Sequence, residues 1–97
     1  MKVWVFVNDD LTFKVVTEES FNLQLMKRIA ERVGGTVKSR ETLKMHEKAD
    51  IYRVIVEGLA SEEDVKKVIE EINAVEREYY NERIKLEEIA RKLTLNQ

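Results

Sequence analysis

Few side chains in this chain of 97 residues have the types and spacing that chemistry requires. His46 is the single histidine, and two carboxylates, Glu47 and Asp50, follow it closely. Imidazole next to carboxylates is typical of metal ligands and of acid–base pairs. A metal site needs further converging ligands, and the sequence indicates none near this position. We therefore interpret His46 as a solvent-exposed surface residue.

Two other local patterns also fail to support a catalytic site. Asp9 and Asp10 are adjacent, but neighbouring side chains diverge, and such clusters are common in turns. Gly34 and Gly35 lack the spacing of a phosphate-binding loop, and they follow a helical pattern where such a loop precedes one. Cysteine is absent, which excludes disulfides and thiol catalysis. The sequence predicts no catalytic residue, no cofactor and no metal, and hence a protein that is not an enzyme.

A basic stretch provides one candidate binding surface. In residues 36–45 one parity is mostly basic and the other contains the apolar side chains, which predicts a strand with one charged face. The basic residues of this face and of the next strand are Lys38, Arg40, Lys44, His46 and Arg53. Such a face can lie along a phosphate backbone, although the stretch has no aromatic side chain to stack on bases. A nucleic-acid- or peptide-binding module is therefore the alternative function.

The C-terminal third of the chain provides the second candidate surface. From Ser61 to Leu93 a hydroxyl cap and three acids precede apolar residues at three-and-four spacing, which predicts one long amphipathic helix. At ~1.5 Å per residue it is about 50 Å long, more than a domain of this size can cover. We expect a homodimer or a protein partner on its uncovered part, because exposed apolar stripes tend to be covered by another molecule. The residues of this surface are Tyr79, Tyr80, Ile84, Leu86, Ile89 and Leu93. A break near Asn81, with the last segment folded back, is the alternative.

The first forty residues predict a hairpin followed by a helix. Residues 3–7 are an uninterrupted run of β-branched and aromatic side chains, typical of a strand covered on both faces. After a turn at 8–10, residues 11–17 alternate and form the antiparallel partner strand. Its inward residues are predicted to be Leu11, Phe13 and Val15. Thr17 or Ser20 then caps a helix that ends before Gly34. The buried side of this helix is predicted to hold Leu25, Met26, Ile29, Ala30 and Val33.

The second half repeats this order of elements. Residues 36–45 are predicted to form a strand, with a short helix over residues 40–48 as the alternative. Residues 47–50 are predicted to form a turn, and residues 51–59 a strand that leads into the long helix. The predicted fold is therefore a single α+β domain over residues 1–97. It is a two-layer sandwich with ββαββα order, in which antiparallel hairpins pack under two helices.

Composition bounds the class of protein. The net charge is −2, and 37% of the residues are charged with both signs interspersed, which favours an ordered and soluble chain. No apolar run approaches the ~18 residues of a membrane span. The N-terminal residues are strand-like and too short for a signal peptide, so we expect a cytoplasmic location.

The composition and the element junctions resemble those of idealised, computationally designed α+β proteins. The chain has no proline, and its three glycines stand at predicted element ends. The helix opening at residues 61–67 and the hairpin-to-helix junction at residues 16–20 are similar to junctions in that class. The resemblance implies a designed scaffold.

A second, local resemblance concerns fewer than ten residues. The turn Asn8-Asp9-Asp10 after a strand, with His46 ahead of a later strand, looks like the adaptor proteins that deliver N-degron substrates to the Clp protease. This resemblance implies that Asn8, Asp9 and His46 grip an α-amino group. Phe13 stands where that family has proline, so we do not adopt the assignment. The sequence predicts a non-catalytic scaffold or protein-interaction module that self-associates through its C-terminal helix.

Overall fold

The computed structural model describes the backbone of residues 1–44 and 47–95, and the side chains of residues 1–39 and 50–95. One antiparallel sheet has the strand order β1-β2-β4-β3, and two helices pack against it. This confirms the predicted α+β fold. The elements are β1 (Lys2–Val7), β2 (Phe13–Ser20), α1 (Leu23–Val33), β3 (Thr36–Lys44), β4 (Glu47–Leu59) and α2 (Glu62–Leu95).

A tight turn joins β1 to β2. The Asn8 amide donates to the Thr12 carbonyl at 2.8 Å, and the Leu11 amide donates to the Asn8 carbonyl at 3.0 Å. This is a three-residue hairpin loop, whose last residue must adopt a left-handed conformation. Leu11 takes that role, with φ 65° and 81% of its surface exposed. The prediction that Leu11 faces the core is therefore wrong.

The first strand lies at an edge of the sheet. We expected residues 3–7 to be covered on both faces, and this prediction is wrong. Trp4 is 38% exposed on one face, and Val7 is 67% exposed on the other. The reason is that the two helices do not reach the edge of the sheet. α2 packs over β2, and α1 packs over β4 and β3, so β1 extends beyond the helices.

The N-terminal cap of α1 also differs from the prediction. Asn22 is the cap, and its side-chain oxygen accepts a hydrogen bond from the Leu25 amide at 3.1 Å. The expected caps, Thr17 and Ser20, both lie in β2, because that strand is longer than predicted. Thr17 is fully buried, and its hydroxyl donates to the Lys2 carbonyl at 2.9 Å.

Two adjacent glycines end α1 and begin β3. Gly34 has φ 68°, and its amide donates to the Ala30 carbonyl, so it closes the last turn as expected. Gly35 serves a different purpose. A Cβ at Gly35 would lie 2.7 Å from Val54 Cγ1 and 3.0 Å from the Ile55 carbonyl oxygen. Only glycine therefore lets the chain approach β4 this closely at this point.

The β3–β4 hairpin extends beyond the rest of the sheet. Residues 36–44 form a strand, which confirms the strand over the helical alternative there. The predicted turn at 47–50 is wrong, because Glu47 already begins β4 and pairs with Lys44. β2 ends at Ser20, opposite Ile51, so within residues 1–44 and 47–95 the pairs nearer the hairpin tip have no third strand beside them.

The core lies between the sheet and the two helices. Its buried members are Val15, Leu25, Met26, Ile29, Ala30, Val54, Val56, Val65, Ile72 and Val75. The long helix α2 begins after Ser61, whose hydroxyl oxygen accepts from the Asp64 amide at 3.2 Å. It continues without a break to Leu95, which confirms the continuous helix. The Cα radius of gyration is 16.6 Å, against about 13 Å for a compact domain of this size.

Candidate interaction surfaces

The apolar stripe of α2 is half buried and half exposed. Its first half fills a and d positions of a heptad pattern and packs into the core with Val65, Val68, Ile72, Val75 and Tyr79. The same phase continues at Leu86, Ile89 and Leu93, which are 66%, 53% and 61% exposed. We call residues 80–95 the distal arm and these three residues the distal stripe. One helical face thus supplies both the core and an uncovered apolar surface.

Glu82 occupies the position of the apolar stripe between Tyr79, which packs against the core, and the exposed Leu86. Its Oε2 accepts a hydrogen bond from Arg28 Nη1 at 2.6 Å. The Arg28 guanidinium also lies over the Tyr79 ring, 5.4 Å from the ring centroid. The hydrogen bond and the charge of Glu82 raise the pKa of Arg28. A charged residue therefore interrupts the apolar stripe between the part that packs into the core and the distal stripe.

A second arginine joins the two helices nearer the body. Arg32 donates to Glu71 Oε2 and to Glu78 Oε2, each at 3.0 Å. The hydrogen bond to Glu71 and the charge of Glu78 raise the pKa of Arg32. These groups are largely exposed, so the pairs orient α1 against α2 more than they stabilise the fold. Arg32 and Glu78 also line an open depression of about 480 Å³ between the helices, together with Arg28, Glu31 and Val75.

The residues predicted for the partner surface separate into three groups. Tyr79 is half-buried and packs against the core, so it belongs to the domain body. Tyr80 is exposed, and its ring meets that of Tyr79 edge-on at 5.4 Å. Ile84 is exposed but lies two residues before Leu86, about 200° around the helix at about 100° per residue. Of the residues predicted for the partner surface, only those of the distal stripe continue the apolar face of the helix.

Basic residues border the distal stripe. Lys85 and Lys92 lie along one border, and both are exposed. Arg83 lies along the other border, where its Nε donates to Glu87 Oε1 at 3.0 Å. This hydrogen bond raises the pKa of Arg83. The surface is thus apolar at its centre and has two exposed lysines along one border.

The predicted basic face is only partly described. Lys38 and Arg53 are paired neighbours on β3 and β4. Arg53 Nε donates to Glu18 Oε2 at 2.6 Å, which neutralises its charge locally. The side chains of Arg40, Lys44 and His46 lie outside the described residues.

The open face of the sheet carries exposed aromatic residues, which the apolar run of β1 does not indicate by itself. Trp4 and Phe6 are exposed beside Lys14, whose Nζ lies 5.1 Å from the Phe6 ring centroid. With Val16, Arg53 and Ile55 they line a shallow depression of about 230 Å³. The hairpin register was the missing signal, since Trp4 pairs with Val16 and Phe6 pairs with Lys14.

The residues singled out by the adaptor resemblance build the first hairpin turn. The side-chain amide nitrogen of Asn8, Nδ2, donates to Thr12 Oγ1 at 3.0 Å and to Glu57 Oε2 at 3.1 Å. The Asp10 carboxylate accepts from the Thr12 hydroxyl at 2.6 Å, and this bond lowers the pKa of Asp10. Asp9 is in the same turn, whereas His46 lies outside the described residues. Asn8 thus already has partners within the fold.

No protein-family model, no curated protein and no solved structure matches this chain. Within residues 1–44 and 47–95, neither helix has an apolar stretch of the length and low charge that a membrane span requires. No three acidic or histidine side chains in the described part of the chain are grouped as metal ligands. The surfaces themselves therefore carry the functional argument.

Proposed function

We propose that this chain is a non-catalytic protein-interaction module whose contact surface is the distal stripe. One observation carries the proposal: the face of α2 that builds the core continues in phase into three exposed apolar residues. Exposed apolar side chains in a heptad pattern pair with a second amphipathic helix, because each then removes the other's surface from water.

The occupant follows from geometry and charge. A second copy cannot pair in parallel, because each domain body lies on the stripe side of its own helix and the two bodies would collide. An antiparallel copy has room, but it places the border with Lys85 and Lys92 against the same border of its partner. A helix with Glu or Asp beside its apolar stripe meets those lysines favourably. We therefore favour an acid-flanked helix of another protein over the self-pairing expected from the sequence.

Two labelled peptides test this proposal. Both have leucines in heptad positions, and the borders carry glutamate in one and lysine in the other. Fluorescence anisotropy against the full chain should give about 5- to 10-fold tighter binding of the glutamate peptide. Leu86→Ser with Ile89→Ser should abolish binding, whereas Ile84→Ser, equally exposed but off the stripe, should retain it.

Charge reversal completes the test. Lys85→Glu with Lys92→Glu should exchange the preference for the two peptides without changing the fold, because both lysines are exposed. Equal binding of both peptides, insensitive to the serine substitutions, would reject the proposal. A dimer of the unmodified chain that the serine substitutions convert to monomer would instead support self-pairing of the arm.

The open sheet face supports a second candidate function, binding of single-stranded nucleic acid. The favouring observation is that Trp4 and Phe6 are exposed on the face that carries Lys14, since aromatic platforms with nearby cations stack bases. Trp4 is the only tryptophan, so its fluorescence reports directly on this face. Oligothymidylate should quench it with a salt-dependent affinity that Lys14→Glu weakens. Unchanged fluorescence at low salt would remove this candidate.

A further inference from the structure

The free edge of β1 carries the further inference. β1 pairs with β2 on one side and forms one end of the sheet. Between Val3 and Val7 the strand has no charged residue, no proline and no bulge in its register with β2. These are the devices that protect an edge strand from pairing with another strand. Such an edge is a template for further strand pairing.

Two hydrogen bonds show which backbone groups of β1 are free. The Asn8 amide donates to the β2 side at 2.8 Å, and the Lys2 carbonyl accepts from Thr17 on the same side. Backbone groups alternate in direction along an antiparallel strand. The even residues of β1 therefore direct their amides and carbonyls towards β2. The odd residues, Val3, Val5 and Val7, direct theirs away from the sheet.

The side chains of β1 are also uncovered on both faces. Trp4 and Phe6 are exposed on the open face, while Val5 and Val7 are exposed on the helix side. A partner that covers only one face would leave half of this surface in water. A strand added to the edge, within the same sheet, covers both faces at once.

We propose that β1 pairs antiparallel with β1 of a second copy about a two-fold axis at Val5, joining two four-stranded sheets into one of eight strands. In this register Val5 faces the partner's Val5, and Val3 faces the partner's Val7. Each of these valines then donates and accepts one backbone hydrogen bond. The register follows from the free backbone groups alone, because it uses all of them.

The same register is complementary in side chains. Trp4 and the partner's Phe6 face each other at a non-hydrogen-bonded position, where cross-strand side chains lie closest, and the symmetry repeats this pair. Lys2 stands opposite the partner's Asn8, next to the partner's Asp9 in the turn. At both ends of the paired strands a lysine therefore lies beside the turn that contains the partner's Asp9, and the aromatic pairs lie between these ends. This complementarity identifies a second copy as the occupant.

Cysteine cross-linking tests the register, because the chain has no cysteine of its own. Val5→Cys should form a disulfide-linked dimer on mild oxidation, since facing residues are about 5.5 Å apart at Cα. Val7→Cys is the matched control. It is more exposed than Val5, but the register places it about 13 Å from the partner's Val7 at ~3.3 Å per residue. Rapid cross-linking of Val7→Cys, or none of Val5→Cys, would overturn the register.

The oligomeric state tests the interface itself and separates it from the distal arm. Sedimentation equilibrium should give a dimer for the full chain and a monomer for Val5→Lys, because the register places the two lysines directly opposite each other. Leu86→Lys and Ile84→Lys should remain dimers. Circular dichroism should show that all variants are folded. A monomeric unmodified chain at hundreds of micromolar, or a dimeric Val5→Lys, would overturn the proposal. Failure here leaves the peptide-binding test of the distal stripe intact, since the two surfaces share no residue.

Discussion

At the scale of single residues, the turn at Leu11 contains the clearest strain in the described chain. Leu11 holds a left-handed backbone conformation, which disfavours residues with a Cβ, yet its side chain is largely exposed and gains little in return. Phe21 shows the same combination with φ 61°. Both follow a strand or precede a helix, where the chain must change direction within a few residues. The strain is therefore local and removable.

Leu11→Gly should stabilise the fold by about 0.5–1 kcal/mol, because glycine adopts a positive φ without steric cost. Urea unfolding monitored by Trp4 fluorescence provides the measurement. Gly34→Ala is the matched opposite: it has φ 68° and no atom within 4 Å of the added Cβ, so only backbone strain opposes it. Gly34→Ala should reduce the free energy of unfolding by about 1 kcal/mol. A less stable Leu11→Gly variant would contradict this explanation of the turn.

Asp10 provides a pH prediction at the same scale. Its hydrogen bonds from the Thr12 hydroxyl and amide lower its pKa in the folded state. A lowered folded pKa adds stability above the ordinary aspartate pKa, and this stability is lost as the pH falls through the folded pKa. Thr12→Val should raise the Asp10 pKa and reduce the loss of stability in acid. NMR titration of the Asp10 carboxyl measures this pKa. Thr36→Val, on β3, is the control and should leave the Asp10 pKa unchanged.

At the scale of elements, α2 divides into a structural half and an exposed half. Removal of residues 86–97 should change the free energy of unfolding by less than about 0.5 kcal/mol, because the distal stripe is exposed and the core contacts of α2 end at Tyr79. By contrast, Ile72→Ala should cost about 2–4 kcal/mol, since Ile72 is fully buried. Thermal unfolding compares the two. A large loss of stability on truncation would mean that the distal arm belongs to the folded body.

The elements also show how far the sequence could be read. The continuous helix and its exposed stripe could be predicted, because heptad spacing is a local property of the sequence. The exposure of β1 could not, since an apolar run states only that a strand is apolar and strand order depends on distant residues. The position of Trp4 near Lys14 could not be predicted either, because it depends on how β1 pairs with β2. Thr17 and Ser20 are residue types that cap helices, but both lie in β2. The sequence did not indicate this, because the length of a strand depends on its partner.

At the scale of the molecule, two extensions leave the body at one end. The β3–β4 hairpin continues past the last pair of β2 with β4. The distal arm continues past Tyr79 towards the same end, because the pairs Arg32–Glu71 and Arg28–Glu82 show that α2 runs antiparallel to α1, which begins just after β2. The principal extents of 61 × 36 × 16 Å reflect this elongation. The strained residues at Leu11 and Phe21 are unlike the backbones of idealised designs, which avoid positive φ outside glycine. The resemblance to designed proteins stays a prediction.

Because α2 is continuous from the core to its C-terminal end, the direction in which the distal stripe faces depends on the number of residues between the core and the stripe. One alanine inserted after Asn81 should turn the tip by about 100° and advance it by about 1.5 Å, while the body keeps its stability. The glutamate peptide should then bind with unchanged affinity, and spin labels on the peptide and at Lys27 should report a different distance. Four inserted alanines, close to one full turn, should restore the original bearing. The angle between this protein and the bound peptide would then be adjustable without altering either contact surface.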